Sequence, residues 1–497
     1  MIQGTGSGAG KSLIAAAFCR IFRNEGMRVA PFKAQNMALN SYITADGGEI
    51  GRAQALQAEA AGVEPSVDMN PVLLKASGEM GSQVVLQGRV HSTMKAADYC
   101  AFRKDAWEVV RKSYRRLARK NDLIVLEGAG SPAEINLREV DIVNMAMARH
   151  AKAAVLLIGD IDKGGVFASL YGTAKLLGRD SRFIKAFIIN KFRGDIGILR
   201  PGLDMIREKT GIPVIGVLPY LRDIGLPEED GMALSQNQKY RATVGRGVIR
   251  IVVVRLSYIS NFTDFDPFYH EPDCEVLFST GREEIENADV VIIPGTKNTI
   301  SDLMLLKDQG LDTPVRNSFR KGNMVMGMCG GYQMLGKKIS DPCGVESEHR
   351  EVEGLGLLDI ATIFGREKRT CRVTAETVPG SGFNVEKELH GYEIHMGESS
   401  GDIGLFRIRR LGADMNGSVP VFDGSRNGNC WGTYLHGIFD NDLFRRDLLN
   451  SLRRKKGLEP LGVSCRYAEI RDEAIDRLAE AVRNNIDMDA VREMLKL

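Results

Sequence analysis

Short apolar runs separated by helix-length stretches dominate the first half of the chain. The runs that predict strands there are 28–32, 123–126, 153–158, 184–189 and 214–218. Apolar strands that alternate with helices are typical of a parallel sheet with helices on both faces. We therefore predict an α/β fold, whose ligand site lies at the carboxyl ends of the strands.

The second half of the chain shows a similar pattern. Apolar runs at 248–256, 290–296 and 324–328 predict buried strands, and 431–436 predicts a short strand that ends in a histidine. The stretch 222–247 is rich in charge, Gln and Gly, with little apolar periodicity. Since 497 residues exceed what one core supports, we predict parallel-sheet α/β domains at 1–225 and 248–445. A linker at 226–247 and a helical extension at 446–497, with helices at 444–456 and 468–484, complete the prediction.

A glycine-rich loop opens the chain at the start of a predicted helix. Its sequence is Gly4-Thr5-Gly6-Ser7-Gly8-Ala9-Gly10-Lys11-Ser12, and an apolar-periodic stretch follows at 13–22. Backbone N–H groups of such a loop surround phosphates, the lysine neutralises their charge and the serine hydroxyl can hold Mg²⁺. Five residues separate Gly4 from Gly10, where the strict pattern has four. Only Met1-Ile2-Gln3 precede the loop, whereas strands usually have about five or six residues, so we expect the natural start to lie upstream.

Polar residues follow four of the predicted strands of the first half. They are Lys33, Glu127, the segment 160–165 and the segment 190–195. Any one of them could be a solvated loop charge or a helix cap. Four at one sheet edge, beside the predicted phosphate loop, favour a binding site there.

A cysteine between glycines follows the predicted strand 324–328. A lone cysteine is more often a core residue, but Gly327-Met328-Cys329-Gly330-Gly331 before a predicted helix at 332–337 indicates a strand-to-helix elbow. The helix amino terminus there favours the nucleophilic thiolate. His436, about a hundred residues later, can supply the base that a thiol nucleophile needs. The Pro294-Gly295 turn can offer N–H groups to a carbonyl oxygen.

These segments resemble a triad-type (class I) glutamine amidotransferase domain. The resemblance implies that Cys329 is the nucleophile that forms a glutamyl thioester and that His436 is its base. It also implies an oxyanion hole made by backbone N–H groups near Gly295 and Gly330.

The third member of the expected triad is missing from its usual place. The superfamily usually has a glutamate two residues after the histidine, and this chain has Ile438 there. Other candidates are the nearby acids Asp440 and Asp442, and Glu393 or His395 from another predicted strand. We predict instead a Cys-His dyad, with the imidazole held by a backbone carbonyl or water. Glutaminase activity is then expected to be weak until the synthetase site is occupied.

Long motifs extend the resemblance to the whole cobyric acid synthase family of cobalamin biosynthesis. They are the segments 31–41, 68–75, 127–137, 160–168 and 390–397, in family order within a match that covers residues 1 to about 445. The resemblance implies an amino-terminal synthetase domain, similar to dethiobiotin synthetase, followed by the amidotransferase domain.

The resemblance also implies ligands for MgATP. Lys11 and Lys33 would bind phosphates, together with the loop residues Gly4, Thr5 and Gly10, and Asn190 would face the adenine. The residues that would hold Mg²⁺ are Ser12, Glu49 and Glu127. The family usually has an aspartate in the loop where this chain has Gly8.

The implied reaction is an ATP-dependent, glutamine-hydrolysing amide synthesis. Cys329 would release ammonia from glutamine, and the first domain would phosphorylate a carboxylate, because a carboxylate has no leaving group for ammonia to displace. The implied substrate is adenosylcobyrinic acid a,c-diamide, amidated at its b, d, e and g carboxylates to cobyric acid.

Composition narrows the class of protein. A formal net charge of +2 argues against a dedicated nucleic-acid or membrane-surface protein. The eight cysteines show no zinc or disulfide spacing, which fits a reducing cytoplasm. No apolar run approaches bilayer length and no leader opens the chain. We therefore expect a cytoplasmic enzyme of small-molecule metabolism.

Two alternatives remain open. Cobyrinic acid a,c-diamide synthase shares both domains, but it usually carries a Glu-Gly-Val-Met-Gly-like segment where this chain has Glu127-Gly128-Ala129-Gly130. A partition-type switch ATPase makes no amide and has a second lysine early in the loop, where this chain has Gly6. Such a switch has no use for Cys329 and His436.

Overall fold

A computed structural model describes most of the chain. The described residues are 1–76, 81–221, 224–226, 248–383, 385, 387–412 and 419–497. Apart from residue 226, the predicted linker at 226–247 lies outside them. Among the helices within these ranges, none is both long and apolar enough to cross a membrane.

Strands and helices alternate through the first half. The strands are β1 (Ile2–Gly4), β2 (Val29–Phe32), β3 (Gln35–Met37), β4 (Ser41–Ile43), β5 (Glu49–Gly51), β6 (Val72–Ala76), β7 (Ser82–Leu86), β8 (Arg89–Met94), β9 (Leu123–Leu126), β10 (Val155–Asp160), β11 (Ile184–Phe192) and β12 (Val214–Pro219). The helices are α1 (Lys11–Asn24), α2 (Arg52–Ala61), α3 (Ala96–Ala118), α4 (Met145–Ala151), α5 (Val166–Leu176) and α6 (Ile196–Thr210).

A parallel sheet forms the centre of this half. Strands β1, β10, β11 and β12 pair in that order, and β2 pairs with β9. A parallel bridge between Ile2 and Glu127 joins the two groups. Apolar residues of these strands, such as Ile158 and Ile188, are fully buried. Strands that are covered on both faces need such continuous apolar runs. The predicted parallel α/β arrangement is confirmed.

Additional antiparallel strands lie beside this sheet. Strands β3, β6, β7 and β8 form a four-stranded sheet in which β6, β7 and β8 run antiparallel, and β4 pairs with β5 as a hairpin. These strands were not predicted from the sequence pattern. Their residues face the second half of the chain, where the Thr370 hydroxyl and the Arg372 guanidinium donate hydrogen bonds to the backbone oxygens of Gly47 and Ile43.

The second half begins at residue 248. Its strands are β13 (Ile249–Val254), β14 (Cys274–Ser279), β15 (Val290–Ile293), β16 (Met324–Met328), β17 (Lys338–Ser340), β18 (Glu351–Glu353), β19 (Ile360–Thr377), β20 (Leu389–Gly401), β21 (Phe406–Leu411), β22 (Val421–Asp423), β23 (Ser425–Asn427) and β24 (Cys430–Thr433). The helices are α7 (Arg282–Glu286), α8 (Thr299–Asp308), α9 (Asp312–Arg320), α10 (Gly330–Leu335), α11 (Asp442–Lys455), α12 (Tyr467–Asn485) and α13 (Met488–Leu495).

Two sheets build this half. The first has the order β14-β13-β15-β16-β24-β23 and is parallel except for β23. The second is a mixed sheet with the order β18-β17-β19-β21-β22, and the long strand β20 pairs with β19. The predicted α/β fold of the second half, with a parallel sheet, is therefore confirmed. We expected a strand at 431–436 with His436 as its last residue. Strand β24 instead ends at Thr433, so His436 lies in the segment after it.

The last helices return to the first half of the chain. Helix α12 packs against α1, and Arg20 of α1 donates hydrogen bonds to Asp472 and Asp476 of α12. The N–H of Asp487 then donates to the backbone oxygen of Ile215 on β12. The predicted helices at 444–456 and 468–484 are confirmed, with α11 and α12 slightly longer than predicted.

Candidate active site

Cys329 lies at a strained elbow between β16 and α10. Its φ is 51° and its ψ is −108°, a backbone conformation that residues other than glycine rarely adopt. The neighbouring glycines permit the turn, because a Cβ on Gly331 would lie 1.9 Å from the Ile293 oxygen. The Cys329 thiol lies 3.4 Å from the backbone oxygen of Ile394 on β20. A nucleophile on such an elbow is presented at the carboxyl end of a sheet.

His436 is held on both sides of its ring. Its backbone forms two hydrogen bonds with the backbone of Tyr392 on β20, and its imidazole stacks on the Tyr392 ring at 5.2 Å between centroids. The Nδ1 atom lies 2.6 Å from Oδ2 of Asp264, whose Oδ1 accepts a hydrogen bond from the Gly437 N–H. His436 and Asp264 are 1% and 4% exposed. This arrangement fixes the imidazole orientation, as the carboxylate of a triad does.

The predicted dyad is therefore wrong. The carboxylate beside His436 is Asp264, which lies 172 residues earlier in the chain, on the 3₁₀ segment Phe262–His270. Asp264 could not be identified from its spacing to the histidine along the sequence. The available signal was an acid within the aromatic run Phe262-Thr263-Asp264-Phe265, because a carboxylate buried among apolar residues needs a specific partner.

The acids proposed from the sequence have other partners. Asp442 forms an ion pair with Arg445, and Asp440 has Arg471 at 3.9 Å. Glu393 accepts hydrogen bonds from Arg410, and its Oε1 lies 3.4 Å from the His395 ring. Burial alone would raise the pKa of Glu393, but its contacts with His395 and Arg410 hold that pKa well below its usual range.

The surroundings of His436 favour its charged form. Burial is the largest influence and lowers the pKa of the imidazole, but the charge and hydrogen bond of Asp264, with the Cys329 side chain, outweigh it. Together they raise the pKa of His436 from 6.5 to about 10. An imidazolium next to Cys329 stabilises the thiolate. The histidine can therefore both activate the sulfur and deliver a proton.

The two glycines expected at the oxyanion hole flank this pair. A Cβ on Gly295 would lie 3.4 Å from Cε1 of His436, and one on Gly330 would lie 3.3 Å from the Thr296 nitrogen. Gly330 is also the first residue of α10. The structure thus brings Cys329, His436, Gly295 and Gly330 together.

A separate cavity of about 830 Å³ lies at the carboxyl ends of the first sheet, lined among others by Lys11, Lys33 and Glu127. Lys11 Nζ donates to the backbone oxygens of Gly6 and Gly130, at 2.8 and 3.1 Å. The loop starts from Gly4 at the end of β1, and the Thr5 N–H donates to the Ile158 oxygen. This cavity has the position and the loop that a nucleotide requires.

Asn190 supports the loop from the neighbouring strand. Its Nδ2 donates to the Ala9 oxygen at 2.9 Å. Gly10 has a φ of 93°, and a Cβ there would lie 2.3 Å from the same Nδ2. Only glycine fits at this position, so the asparagine and the loop are packed to each other.

Glu127 is the centre of a buried polar cluster in this cavity. Its Oε1 accepts hydrogen bonds from Ser12 Oγ at 2.8 Å and Lys33 Nζ at 2.9 Å, and its Oε2 accepts from Gln57 at 2.6 Å and Gln54 at 3.3 Å. Burial is the largest influence and raises the pKa of Glu127, but the Lys33 charge and these hydrogen bonds lower it overall. The carboxylate is therefore ionised. It presents an oxygen beside the Ser12 hydroxyl, a pair that suits Mg²⁺.

Glu49 is not brought to this cluster. Its carboxylate accepts from Ser41 at 2.8 Å and forms ion pairs with Lys75 at 2.9 Å and Lys368 at 2.6 Å. Lys368 belongs to β19 of the second half, so Glu49 joins the two halves of the chain instead of lining the large cavity.

Two family models match the chain, one over each half. Residues 250–444 match the family model of the CobB/CobQ-like glutamine amidotransferase domain, and residues 1–234 match that of the CobQ/CobB/MinD/ParA nucleotide binding domain. The protein is therefore an ATP-dependent, glutamine-hydrolysing amide ligase.

Full-length relatives define the family more closely. The chain is 49% identical over 497 residues to a cobyric acid synthase of Thermodesulfovibrio yellowstonii, covering 100% of this chain and 99% of that protein. It is 48% identical to the one of Syntrophobacter fumaroxidans, covering 100% and 98%. It is 49% identical to the one of Caldanaerobacter subterraneus, again covering 100% and 98%. The chain belongs to the cobyric acid synthase family.

Proposed function

We propose that this protein converts adenosylcobyrinic acid a,c-diamide to cobyric acid, by amidating the b, d, e and g carboxylates with ammonia from glutamine at the expense of ATP. The observation that carries the proposal is the 49% identity to a cobyric acid synthase along the full length of both chains. The two sites of the molecule support it, because each suits one half of the reaction. The proposed domain limits are 1–225 and 248–445, followed by an extension at 446–497.

The glutaminase half uses Cys329, His436 and Asp264. The Cys329 thiolate attacks the carboxamide carbon of glutamine, while backbone N–H groups near Gly295 and Gly330 stabilise the oxyanion. The His436 imidazolium gives its proton to the departing ammonia, which leaves a thioester on the sulfur. His436 then takes a proton from water, whose oxygen attacks the thioester and releases glutamate. Asp264 keeps the imidazole oriented through both steps.

The synthetase half uses the large cavity. Lys11 and Lys33 neutralise the charge of the triphosphate, and the backbone of the loop, including Gly4, Thr5 and Gly10, surrounds its oxygens. Asn190 would face the adenine while its side-chain N–H holds the loop. A carboxylate of the substrate attacks the terminal phosphorus of ATP, the bond to the bridging oxygen breaks and ADP leaves. Ammonia then displaces phosphate from the acyl phosphate and forms the amide.

The residues of the cavity fit a magnesium ion. Ser12 and Glu127 would hold Mg²⁺, which supplies positive charge to the phosphate oxygens. Glu49 is left out of this set because its carboxylate is shared between Lys75 and Lys368.

One assay tests the proposal directly. The protein is incubated with adenosylcobyrinic acid a,c-diamide, MgATP and glutamine, and the amides added are counted by mass spectrometry. We expect four additions of ammonia with loss of water. No addition to the a,c-diamide, but two additions to cobyrinic acid, would contradict the proposal in favour of the related a,c-diamide synthase.

A further inference from the structure

A second pair of charged groups lies beside Cys329, and the mechanism does not use it. The small cavity at Cys329 has a volume of about 40 Å³, and its lining includes His436, Lys297 and Glu346. Lys297 directly follows the turn at Gly295 and Thr296. Glu346 lies on the loop after β17. An ammonium and a carboxylate thus face the cavity in which the carboxamide of glutamine would react.

Lys297 lacks a counter-ion of its own. Its Nζ makes no hydrogen bond or ion pair with any side chain in the described ranges. Burial lowers the pKa of Lys297; Glu346 raises it by charge, whereas Lys75 lowers it further. Lys297 is partly buried, and withdrawing an ammonium from water without an ion pair is costly. Such a group is retained where a ligand supplies the missing anion.

Lys75 and Lys368, the other lysines of the cavity, are already satisfied. Both contact the carboxylate of Glu49, at 2.9 and 2.6 Å. The three lysines of the cavity lining are Lys75, Lys297 and Lys368, and two of them share the carboxylate of Glu49. Lys297 is the one that has no direct ion pair among them.

Glu346, the carboxylate that lines the same cavity, is held in place by hydrogen bonds. The buried carboxylate of Asp341 accepts hydrogen bonds from the N–H groups of Val345, Glu346 and Ser347, which fixes the backbone of the loop. The Glu346 side chain accepts a hydrogen bond from the Thr299 N–H at 2.8 Å, at the start of α8. Burial raises the pKa of Glu346 to about 7, despite the nearby Lys297. A cation that bound here would restore the charged carboxylate.

Glutamine carries an ammonium group and a carboxylate group on the same carbon, which are the charged partners that suit Glu346 and Lys297. Its α-ammonium and α-carboxylate lie at one end of the molecule, and the carboxamide that Cys329 attacks lies at the other. We propose that Lys297 binds the α-carboxylate of glutamine and Glu346 binds its α-ammonium, so that this pair selects glutamine among amides. The proposal rests on the proposed glutaminase role of Cys329.

Two truncated amides separate the two contacts. Glutaramate lacks the α-ammonium, and 4-aminobutanamide lacks the α-carboxylate. Lys297→Met should lower kcat/KM for glutamine by about 100-fold, the usual effect of deleting one member of a buried charged contact. It should change kcat/KM for 4-aminobutanamide by less than about twofold, because that substrate has no carboxylate to lose. Glu346→Gln should likewise lower kcat/KM for glutamine by about 100-fold. It should change kcat/KM for glutaramate by less than about twofold, because that substrate has no α-ammonium to lose.

Matched controls come from the same segments of the chain. Lys307→Met and Glu348→Gln remove the same charges from residues that do not line the cavity, and each should leave all three kcat/KM values within about twofold. Synthesis from ammonium should be kept in both cavity variants, which shows that they are folded. Removing a partly buried ammonium that has no direct ion pair is not expected to destabilise the protein.

The outcomes are distinct. Equal losses with glutamine and with the matching truncated amide would overturn the assignment, as would an unchanged kcat/KM for glutamine. If the unmodified protein releases no glutamate from glutamine, or if Cys329→Ser still does so, the proposed glutaminase function itself fails. That result is independent of how Lys297 and Glu346 discriminate among amides.

Discussion

The two reacting centres of this chain differ in how completely they are assembled. Cys329 and His436 are buried and line one cavity of about 40 Å³, and the His436 imidazole is already in contact with Asp264. The nucleotide site is an open cavity of about 830 Å³, in which Glu127 is shared among protein groups. The glutaminase is therefore preorganised for one small substrate. The synthetase site needs its ligands to replace internal contacts.

The largest expected effect comes from removing the nucleophile. Cys329→Ser should lower glutamine-dependent synthesis by about 10⁵-fold, because the covalent step is lost. Synthesis from high ammonium should stay intact, since the large cavity does not include Cys329. Product is counted by mass spectrometry with each nitrogen source. Loss of both activities in a folded variant would show that the centres are not separable.

The next effect concerns Asp264. Asp264→Asn should lower glutaminase activity by about 10⁴-fold, whereas Asp440→Asn, the acid closer to His436 in sequence, should cost less than about tenfold. Both are measured as glutamate release, with ammonium-dependent synthesis as the control for folding. A large loss in Asp440→Asn alone would refute the triad drawn around Asp264.

The same variant gives a pH signature. In the unmodified protein the pKa of His436 is raised from 6.5 to about 10, so the imidazolium persists to high pH. Alkylation of Cys329 by iodoacetamide should stay nearly constant between about pH 7 and 9, and the stability contributed by His436 is full below pH 6.5 and lost as pH rises through about 10. In Asp264→Asn, the pH at which the alkylation rate changes and the pH at which this stability is lost should both move toward 6.5. An unchanged profile would contradict the role given to Asp264.

A third change tests the open centre. Lys11→Ala removes a charge that stabilises the transferring phosphoryl group and should lower synthesis by about 10³-fold with either nitrogen source. Iodoacetamide should still modify Cys329 at the normal rate, because the two cavities are distinct. Unchanged synthesis from ammonium would contradict the assignment of the loop.

The smallest effect concerns the contact between the centres. Occupying the large cavity with MgATP and the a,c-diamide should raise glutaminase kcat/KM by about tenfold, because Lys75 and Lys368 line the Cys329 cavity and are joined through Glu49. Glu49→Gln should abolish this rise, because its carboxylate pairs Lys75 with Lys368 across the two halves. KM for ATP should change by less than about twofold. A large increase in that KM would indicate that Glu49 is a ligand of the nucleotide site.

The parts of the molecule that depend on local pattern could be predicted from the sequence. The parallel strands, the elbow at Cys329 and the phosphate loop each follow from apolar runs and glycines close in sequence. Asp264 and Glu49 could not be placed in this way. Asp264 reaches His436 from 172 residues away, and the partners of Glu49 come from β6 and β19, which tertiary packing alone brings together. Long-range pairs of single charged residues leave no periodic signal.

The return of α12 to α1 has a consequence for biogenesis. The apolar core around Ile14 and Phe18 includes Ile475, Leu478 and Val482, so it is completed by residues that leave the ribosome after the whole glutaminase domain. A nascent chain that stops before residue 467 would carry its triad but an uncovered nucleotide domain. Chains cut short in this way would expose apolar surface to chaperones and proteases. Quality control would thus remove molecules that release ammonia without the means to use it.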